Sequence, residues 1–447
     1  MRLWDCMRRF FQMKYARGSI VCCLCALVFC GCSSMGGYLG FWQRQHELKE
    51  AFHDEPSADL LRQLDPQDCF LLGGPFSFTT DYEKPVLVVA VTDRFKKREI
   101  VAQRILQPGV LFYMAYVPEG RYDLYFFADL DGNGYFDAHE MIGGTTSEPV
   151  QVNKAEVKDG LTVPGPAFTL DLSRPAKADL PVRVRVRAQA YAFDSLDDEF
   201  FDPKYGTLGL YDPMAFMAHT QRYVFSLKEL DPAKTIVLFV HGVDGTPRDF
   251  KYLVAGLDAA RYQPLFYFYP SGMPLQKLGS LLAGIIRYLT AAENFHVQRL
   301  IVVAHSMGGL VGLSALNQLC SNGAPPYLRG YISFDSPYGG VEDAKKGVEK
   351  APAVVPSWRD VATGSPFLEQ LYKGPAPGAI PFYLFFGYET GASSDGTITL
   401  QSQLEPRVHF AAFKSYGFNA THVGILNDEA ARKSFYKVLA TLDGSGN

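Results

Sequence analysis

Leu300-Ile301-Val302-Val303-Ala304-His305-Ser306-Met307-Gly308-Gly309 decides the fold. Four β-formers run into a serine flanked by residues small enough for a very sharp turn, and a helix-forming stretch, Leu310 to Leu319, follows. A strand that ends in a strained turn and passes straight into a helix holds a serine hydroxyl exposed above a sheet. The usual spacing is Gly-x-Ser-x-Gly, and here Ala304 replaces the first glycine. One methyl group is tolerable where the strand and helix backbones nearly touch. The plainer reading of Ser306 is a small residue chosen for turn packing.

Upstream, Thr235 to Val240 reads as a buried strand that runs into His241-Gly242-Val243-Asp244-Gly245-Thr246-Pro247. A Gly-rich turn after a central strand can present backbone N–H groups to a developing oxyanion, so the amides of Val243 and Met307 are the candidate pair. Downstream, Asp395 lies beyond the apolar run Pro381 to Phe386, and His422 lies beyond the run Val408 to Phe413. Serine, acid and histidine in that chain order differ from the orders in chymotrypsin and subtilisin. Each of the three follows an expected strand, at the edge where parallel sheets collect ligands. Asp395 precedes Gly396, also a common turn dipeptide, and its rival as the acid is Asp335, one strand earlier. Asp244 reads as a turn residue, His241 and His305 as packed and hydrogen-bonded, and His409 as a core histidine within a strand.

At these residues the chain resembles bacterial lipases and esterases of the α/β-hydrolase superfamily whose elbow reads Ala-His-Ser-Met-Gly. The resemblance runs from about Val224 to the C-terminus and includes Ser336-Pro337-Tyr338-Gly339-Gly340, where lipases often carry Pro-His-x-Gly. It implies a mostly parallel central sheet and serine-dependent acyl transfer to water, without a cofactor for catalysis. Ser306 would attack, His422 would act as base, and Asp395 would orient the imidazole. Ala304 and Tyr338 depart from the pattern and bear on substrate choice more than on mechanism. The expected substrate is a carboxylic ester, lipid-like or small. The same residues would serve a thioesterase, amidase or acyltransferase, and a non-catalytic envelope protein using the fold as a scaffold is the reading outside enzymes.

The 447 residues are 47% apolar and 20% charged, enough for two to three domains with ample core. Residues 1–31 hold five of the 43 basic and one of the 47 acidic side chains, so the rest carries a net −8. No nucleic acid or anionic bilayer is attracted by such a charge. Arg2, Arg8, Arg9, Lys14 and Arg17 precede a short apolar core, Ser19 to Phe29, as in an export signal. The ending Phe29-Cys30-Gly31-Cys32-Ser33-Ser34 resembles a bacterial lipoprotein signal, which implies lipidation of Cys32 and anchoring to a membrane of the cell envelope, the outer membrane or cell surface. Ordinary secretion is the alternative. With residues 1–31 removed and Cys32 lipidated, Cys69 and Cys320 remain, either bridged or free.

Residues 32–66 read as a tether with one short helix. From 67 to 190 short β runs (Val86 to Val91, Val110 to Val117, Tyr122 to Ala128, Phe168 to Leu172, Val182 to Ala188) suggest a small antiparallel β-sandwich. Strict alternation in Val182 to Arg187 puts valines on one face and arginines on a solvated one. Asp129, Asp131, Asn133, Tyr135, Asp137 and Glu140 fall at the spacing of a twelve-residue calcium loop, with Gly134 sixth. The flanks read as strand and turn, not as helices, and resemble the Asp-rich hairpin of exported prealbumin-like β-sandwich domains. A structural calcium ion and an unmetallated Asx/Gly turn are the two readings. Residues 191–223 are expected as a linker, and residues 342–371, between two sheet strands, as a cap over Ser306. Gln276 to Thr290 and Asp428 to Leu442 read as amphipathic helices flanking the sheet.

Overall fold

Every residue of Thr235–Val240 and of Leu300–His305 is buried, as strands covered on both faces require. They form the middle of a sheet in a computed structural model that describes residues 68–444, with Gln43 and Glu47. Within that span 95–96, 109, 111, 146–147, 158–160, 187–192, 221, 292–294, 351–353 and 377 are not described. The export signal, Cys32 and the tether apart from those two helical residues therefore lie outside the described residues. Among the described residues no helix is long and apolar enough to cross a membrane.

The first region's strands are β1 (Cys69–Phe78), β2 (Val86–Arg94), β3 (Lys97–Leu106), β4 (Phe112–Pro118), β5 (Gly120–Ala128) and β6 (Tyr135–Asp137). They continue as β7 (Met141–Gly144), β8 (Val150–Val152), β9 (Thr162–Pro164), β10 (Phe168–Leu170) and β11 (Arg183–Arg185). One sheet runs β10-β1-β4 with β9 also on β1, and the other runs β3-β2-β5-β7 with β8 on β5. Phe70 and Leu72 of β1, Tyr113 and Val117 of β4 and Val88 and Phe126 of the second sheet share one apolar core. The alternate residues of β2, Leu87, Val89 and Val91, are covered by Leu180 and Val182, so β2 is buried on both faces. The pairing is mostly antiparallel, as expected, but β1 takes β9 and β10 in parallel. Arginines 183 and 185 face outward while Val182 and Val184 pack inward, as their alternation indicates.

The second sheet system uses β12 (Val224–Ser226), β13 (Thr235–Val240), β14 (Tyr262–Tyr267), β15 (Leu300–His305), β16 (Leu328–Phe334), β17 (Phe382–Tyr388) and β18 (Lys414–Asn419). Their order is β12-β14-β13-β15-β16-β17-β18, parallel except for β12. From β13 the chain goes first to β14 on one side and then to β15 on the other. The loops after β13 and β15 therefore diverge, leaving the crevice in which open α/β sheets bind ligands. This is the α/β-hydrolase fold: a mostly parallel sheet flanked by helices.

Residues 191–223 are not a linker. They form α1 (Pro203–Tyr211) and α2 (Pro213–Thr220), and Phe201, Leu208 and Phe216 are fully buried in the core of the second sheet. The Asp-Pro pairs that punctuate the segment start helices. Asp202 accepts the Lys204 N–H and Asp212 accepts that of Ala215, with proline at the first helical position where no N–H is needed. Each buried phenylalanine is worth about 2–3 kcal/mol, which a linker would forgo.

The remaining helices are α3 (Lys251–Ala255), α4 (Leu275–Thr290), α5 (Met307–Leu319), α6 (Glu342–Lys350), α7 (Pro356–Val361), α8 (Pro366–Leu371), α9 (Leu400–Gln403), α10 (Pro406–His409) and α11 (Glu429–Leu442). The stretch 342–371 thus holds three helices. Through α8 it packs on α5, and Asp360 of α7 accepts the Leu275 N–H at the start of α4 at 2.6 Å. The strand expected at Val408 to Phe413 is displaced. Pro406 starts a helical turn there, His409 sits on it, and β18 begins at Lys414. As an edge strand, β18 keeps few apolar residues, which is why a search for buried runs passes over it.

The two regions meet along α4. Cys69, Leu71 and Tyr116 belong to the same apolar cluster as α4, and Phe112 stacks edge-on against Tyr288 at 5.5 Å. The buried Lys277 ammonium donates to the Cys69 carbonyl at 2.5 Å and lies over the Phe70 ring at 4.9 Å.

Candidate functional site

Ser306 stands between β15 and α5 with φ +55°, a left-handed conformation that an L-residue adopts at a cost of about 1–3 kcal/mol. Crowding enforces it. A side chain at Gly308 would strike the carbonyls of Val240 and His241, and one at Gly309 would strike Ser336. Ala304 is fully buried, in register between Val240 and Ser333, so its methyl is accommodated within the sheet.

The sheet order then gathers the distant candidates at this turn. His422, beyond β18, places Nε2 at 2.9 Å from Ser306 Oγ. Its Nδ1 lies 2.7 Å from Asp395 Oδ2, beyond β17. Asp395 is almost fully buried, and its Oδ1 accepts the N–H groups of Thr397 at 2.8 Å and Ile398 at 2.6 Å. Burial alone would push its carboxyl up. The His422 hydrogen bond and charge, with the two amides, outweigh that and hold it below the usual carboxylate range. An imidazole so placed can take a proton from the serine while the carboxylate fixes its tautomer.

The turn after β13 lies against the same serine. A Cβ on Gly242 would come within 2.8 Å of Ser306 Cβ, so only glycine lets the backbone approach. The Asp244 amide donates to Ser271 Oγ at 3.1 Å, whereas the Val243 and Met307 amides have no hydrogen-bond partner among the described residues. Met307 opens a thirteen-residue helix whose first N–H groups and dipole favour negative charge. Helix α1 backs this turn: a side chain on Gly206 would collide with the Asp244 carbonyl.

Burial holds His305 and His241 neutral. Burial, with the nearby His422 charge, lowers His305 to about 3, and its Nε2 meets the His422 carbonyl at 2.8 Å. Burial lowers His241 to about 4, and its Nε2 accepts the Tyr269 amide at 3.2 Å. His409 pairs with Ser415 at 3.1 Å, away from the serine. Tyr338, where lipases often carry histidine, is fully buried and hydrogen-bonded to Tyr331 at 3.3 Å.

Two residues extend the chain of contacts. Asp335 is fully buried with Oδ2 3.9 Å from His422 Nδ1, farther than Asp395. Gln403, which the sequence reading did not single out, donates from Nε2 to Asp395 Oδ2 at 3.2 Å and to the Gly387 carbonyl at 3.1 Å. An amide eight residues after the acid is the only signal in the sequence, and nothing there links it to β17.

The Asp-rich loop lies elsewhere. Glu140, its twelfth residue, is buried and accepts from the amides of Leu130, Asp131 and Asp137. Asp137 pairs with Arg183 at 2.9 Å, and Asp129 Oδ2 accepts the Gly134 amide. Asp129 Oδ1 is buried without a donor, and oxygens of Asp131 and Glu140 approach each other closely enough to share an ion. The oxygens of Asp129, Asp131 and Glu140 are of the kind calcium takes, and the exposed His139, which groups with Asp131 and Glu140, adds a nitrogen that calcium does not favour. Cys69 and Cys320 are both buried and free, so the bridge is not formed.

A family model described as an alpha/beta hydrolase of unknown function (DUF915) matches residues 276–422, a stretch that contains Ser306, Asp395 and His422. No curated protein matches the sequence. Among solved structures, a lipase of Bacillus licheniformis in mature form is similar at 19% identity and TM-score 0.38, over 49% of this chain and 98% of that one. A lipase B of Aspergillus fumigatus is similar at 17% identity and TM-score 0.38, over 52% and 61%. A type II thioesterase from the borrelidin biosynthetic cluster is similar at 14% identity and TM-score 0.35, over 50% and 97%. These are remote likenesses and carry nothing about substrate.

Proposed function

We propose that the chain is a serine hydrolase that cleaves carboxylic esters through an acyl-enzyme. The observation that carries this reading is the pair of contacts at His422, 2.9 Å to Ser306 Oγ and 2.7 Å to Asp395 Oδ2. Ser306 attacks the ester carbonyl as His422 takes its proton, and Asp395 stabilises the imidazolium that forms. The oxyanion settles between the Val243 and Met307 amides, each worth about 10²–10³ in rate. His422 returns its proton to the leaving alcohol, and water deacylates the serine by the same relay. In this reading the helices of 342–371 form a cap, and lipidated Cys32 holds the enzyme at a membrane of the cell envelope.

A fluorophosphonate probe should label the wild-type chain and not Ser306→Ala. No labelling of either would leave the fold as a binding scaffold. Turnover of p-nitrophenyl esters of graded acyl length, beside matched thioesters and anilides, then separates an esterase from a lipase, thioesterase or amidase. A calcium ion on the Asp129–Glu140 loop is a separate part of the proposal, supported by the orphaned Asp129 Oδ1. Its role there is to brace the loop.

A further inference from the structure

Asp335 is a buried acid that the relay does not use. It follows β16, next to β17, with the left-handed φ of +47°. Its Oδ1 accepts the Gly387 amide at 2.6 Å, while Oδ2 is buried with no donor. A Cβ at position 387 would lie 2.9 Å from Oδ2 and 2.9 Å from the Ala420 carbonyl, so only glycine fits there. An anionic Oδ2 would be desolvated and unpaired, a cost that a proton removes. A protonated Oδ2 in turn needs an acceptor, and Asp395 is the neighbouring acid: Asp335 Oδ2 lies 3.9 Å and Asp395 Oδ2 2.7 Å from the same atom, His422 Nδ1.

We propose that Asp335 is a positioning residue, a neutral carboxyl that donates its proton to Asp395, so that the two acids present one shared negative charge to His422. Burial and then repulsion from Asp395 push the Asp335 carboxyl well above the ordinary range, in the direction this pairing requires. The titratable groups facing the pair are His422 beyond β18 and, against His422, His305 at the end of β15. Among the described residues no lysine or arginine forms an ion pair with either carboxyl. Two full negative charges buried side by side would repel each other, and a shared proton removes that repulsion. One shared charge orients the ring and leaves it free to accept the serine proton.

This rests on the proposed serine relay, and the test separates the two. The full chain, Asp335→Asn and Asp335→Ala are compared by rate of fluorophosphonate labelling and by p-nitrophenyl butyrate turnover, from about pH 5 to about pH 9. Asparagine keeps an acceptor for Gly387 and a donor for Asp395 without a charge. Its rates should stay within about threefold of wild type, with the acid limb unmoved. Alanine removes the donor and should lower kcat about tenfold with KM unchanged. An acid limb displaced by about one pH unit or more in Asp335→Asn would show that a charge had been lost, and would overturn the proposal. So would an alanine variant that matches wild type. If melting curves show that alanine does not fold, the asparagine profile decides alone. A wild type that never labels removes the relay itself, a result distinct from either.

Discussion

Two polar loops at strand ends behave in opposite ways. The Asp129–Glu140 loop satisfies its side chains locally: apart from Arg183 on Asp137, their hydrogen bonds stay within the loop, while its backbone takes the amides of Ala178 and Val186 and pairs β6 with β11. The rim around Ser306 has little local closure, and its three side chains lie 27 to 116 residues apart in the chain. The first loop is set by spacing. The second is set by strand order, because only the sequence β15-β16-β17-β18 brings those loops to one edge. Local loops therefore tolerate change in their surroundings, while the rim depends on backbone placed by distant elements.

The comparison breaks most visibly at the rim. Ser306→Ala or His422→Ala should lower turnover by about 10⁴–10⁶, read as kcat, with melting temperature nearly unchanged. A loss below about tenfold would mean that the contacts are packing rather than chemistry. A smaller effect is expected from Gly206→Ala, which touches no reacting atom. Its methyl presses on the Asp244 carbonyl and so displaces the Val243 amide, and kcat should fall about tenfold while KM holds. Unchanged kcat would free the turn from its dependence on α1.

Calcium sharpens the other side. Saturating calcium should raise the melting temperature by a few degrees, by mass action on the folded state, and Asp129→Asn should abolish that rise. Labelling of Ser306 should be the same with calcium or chelator. The gentlest effect comes from pH. His241 and His305 are held neutral, at about 4 and about 3, while the unfolded chain protonates them near 6.5. Below 6.5 the unfolded state thus binds more protons, so the stability they contribute is whole above 6.5 and is lost as pH falls toward 4. Each imidazole adds a slope of about 1.4 kcal/mol per pH unit in that window. His241→Asn should flatten the fall in melting temperature between those limits, whatever its stability at neutral pH.

The sequence disclosed the parts of the fold whose physics is local or periodic. Thr235–Val240 and the β15–Ser306–α5 junction are fully buried runs with tight glycines, and both lie where they read. Asp428, the first residue of the expected helix, is its N-cap. What escaped was set by neighbours. β18 is an edge strand with an ordinary composition, so the run at Val408 looked more strand-like than the strand itself. Helices α1 and α2 carry Asp-Pro punctuation that resembles a linker until Phe201 and Phe216 find a core to enter. Gln403 and the adjacency of Asp335 to Asp395 depend on β16 and β17 lying side by side, which no short window of residues encodes.

Lys277 has a consequence for how this molecule can be divided. Its proton is received by a carbonyl 208 residues earlier, and the ring it lies over, Phe70, belongs to the other half of the chain. A fragment cut before Val224 would lose the Cys69 carbonyl and the Phe70 ring from Lys277 and the Phe112 ring from Tyr288. The hydrolase half is therefore not a detachable catalyst with an ornament in front, and melting of the whole chain should proceed as one cooperative step.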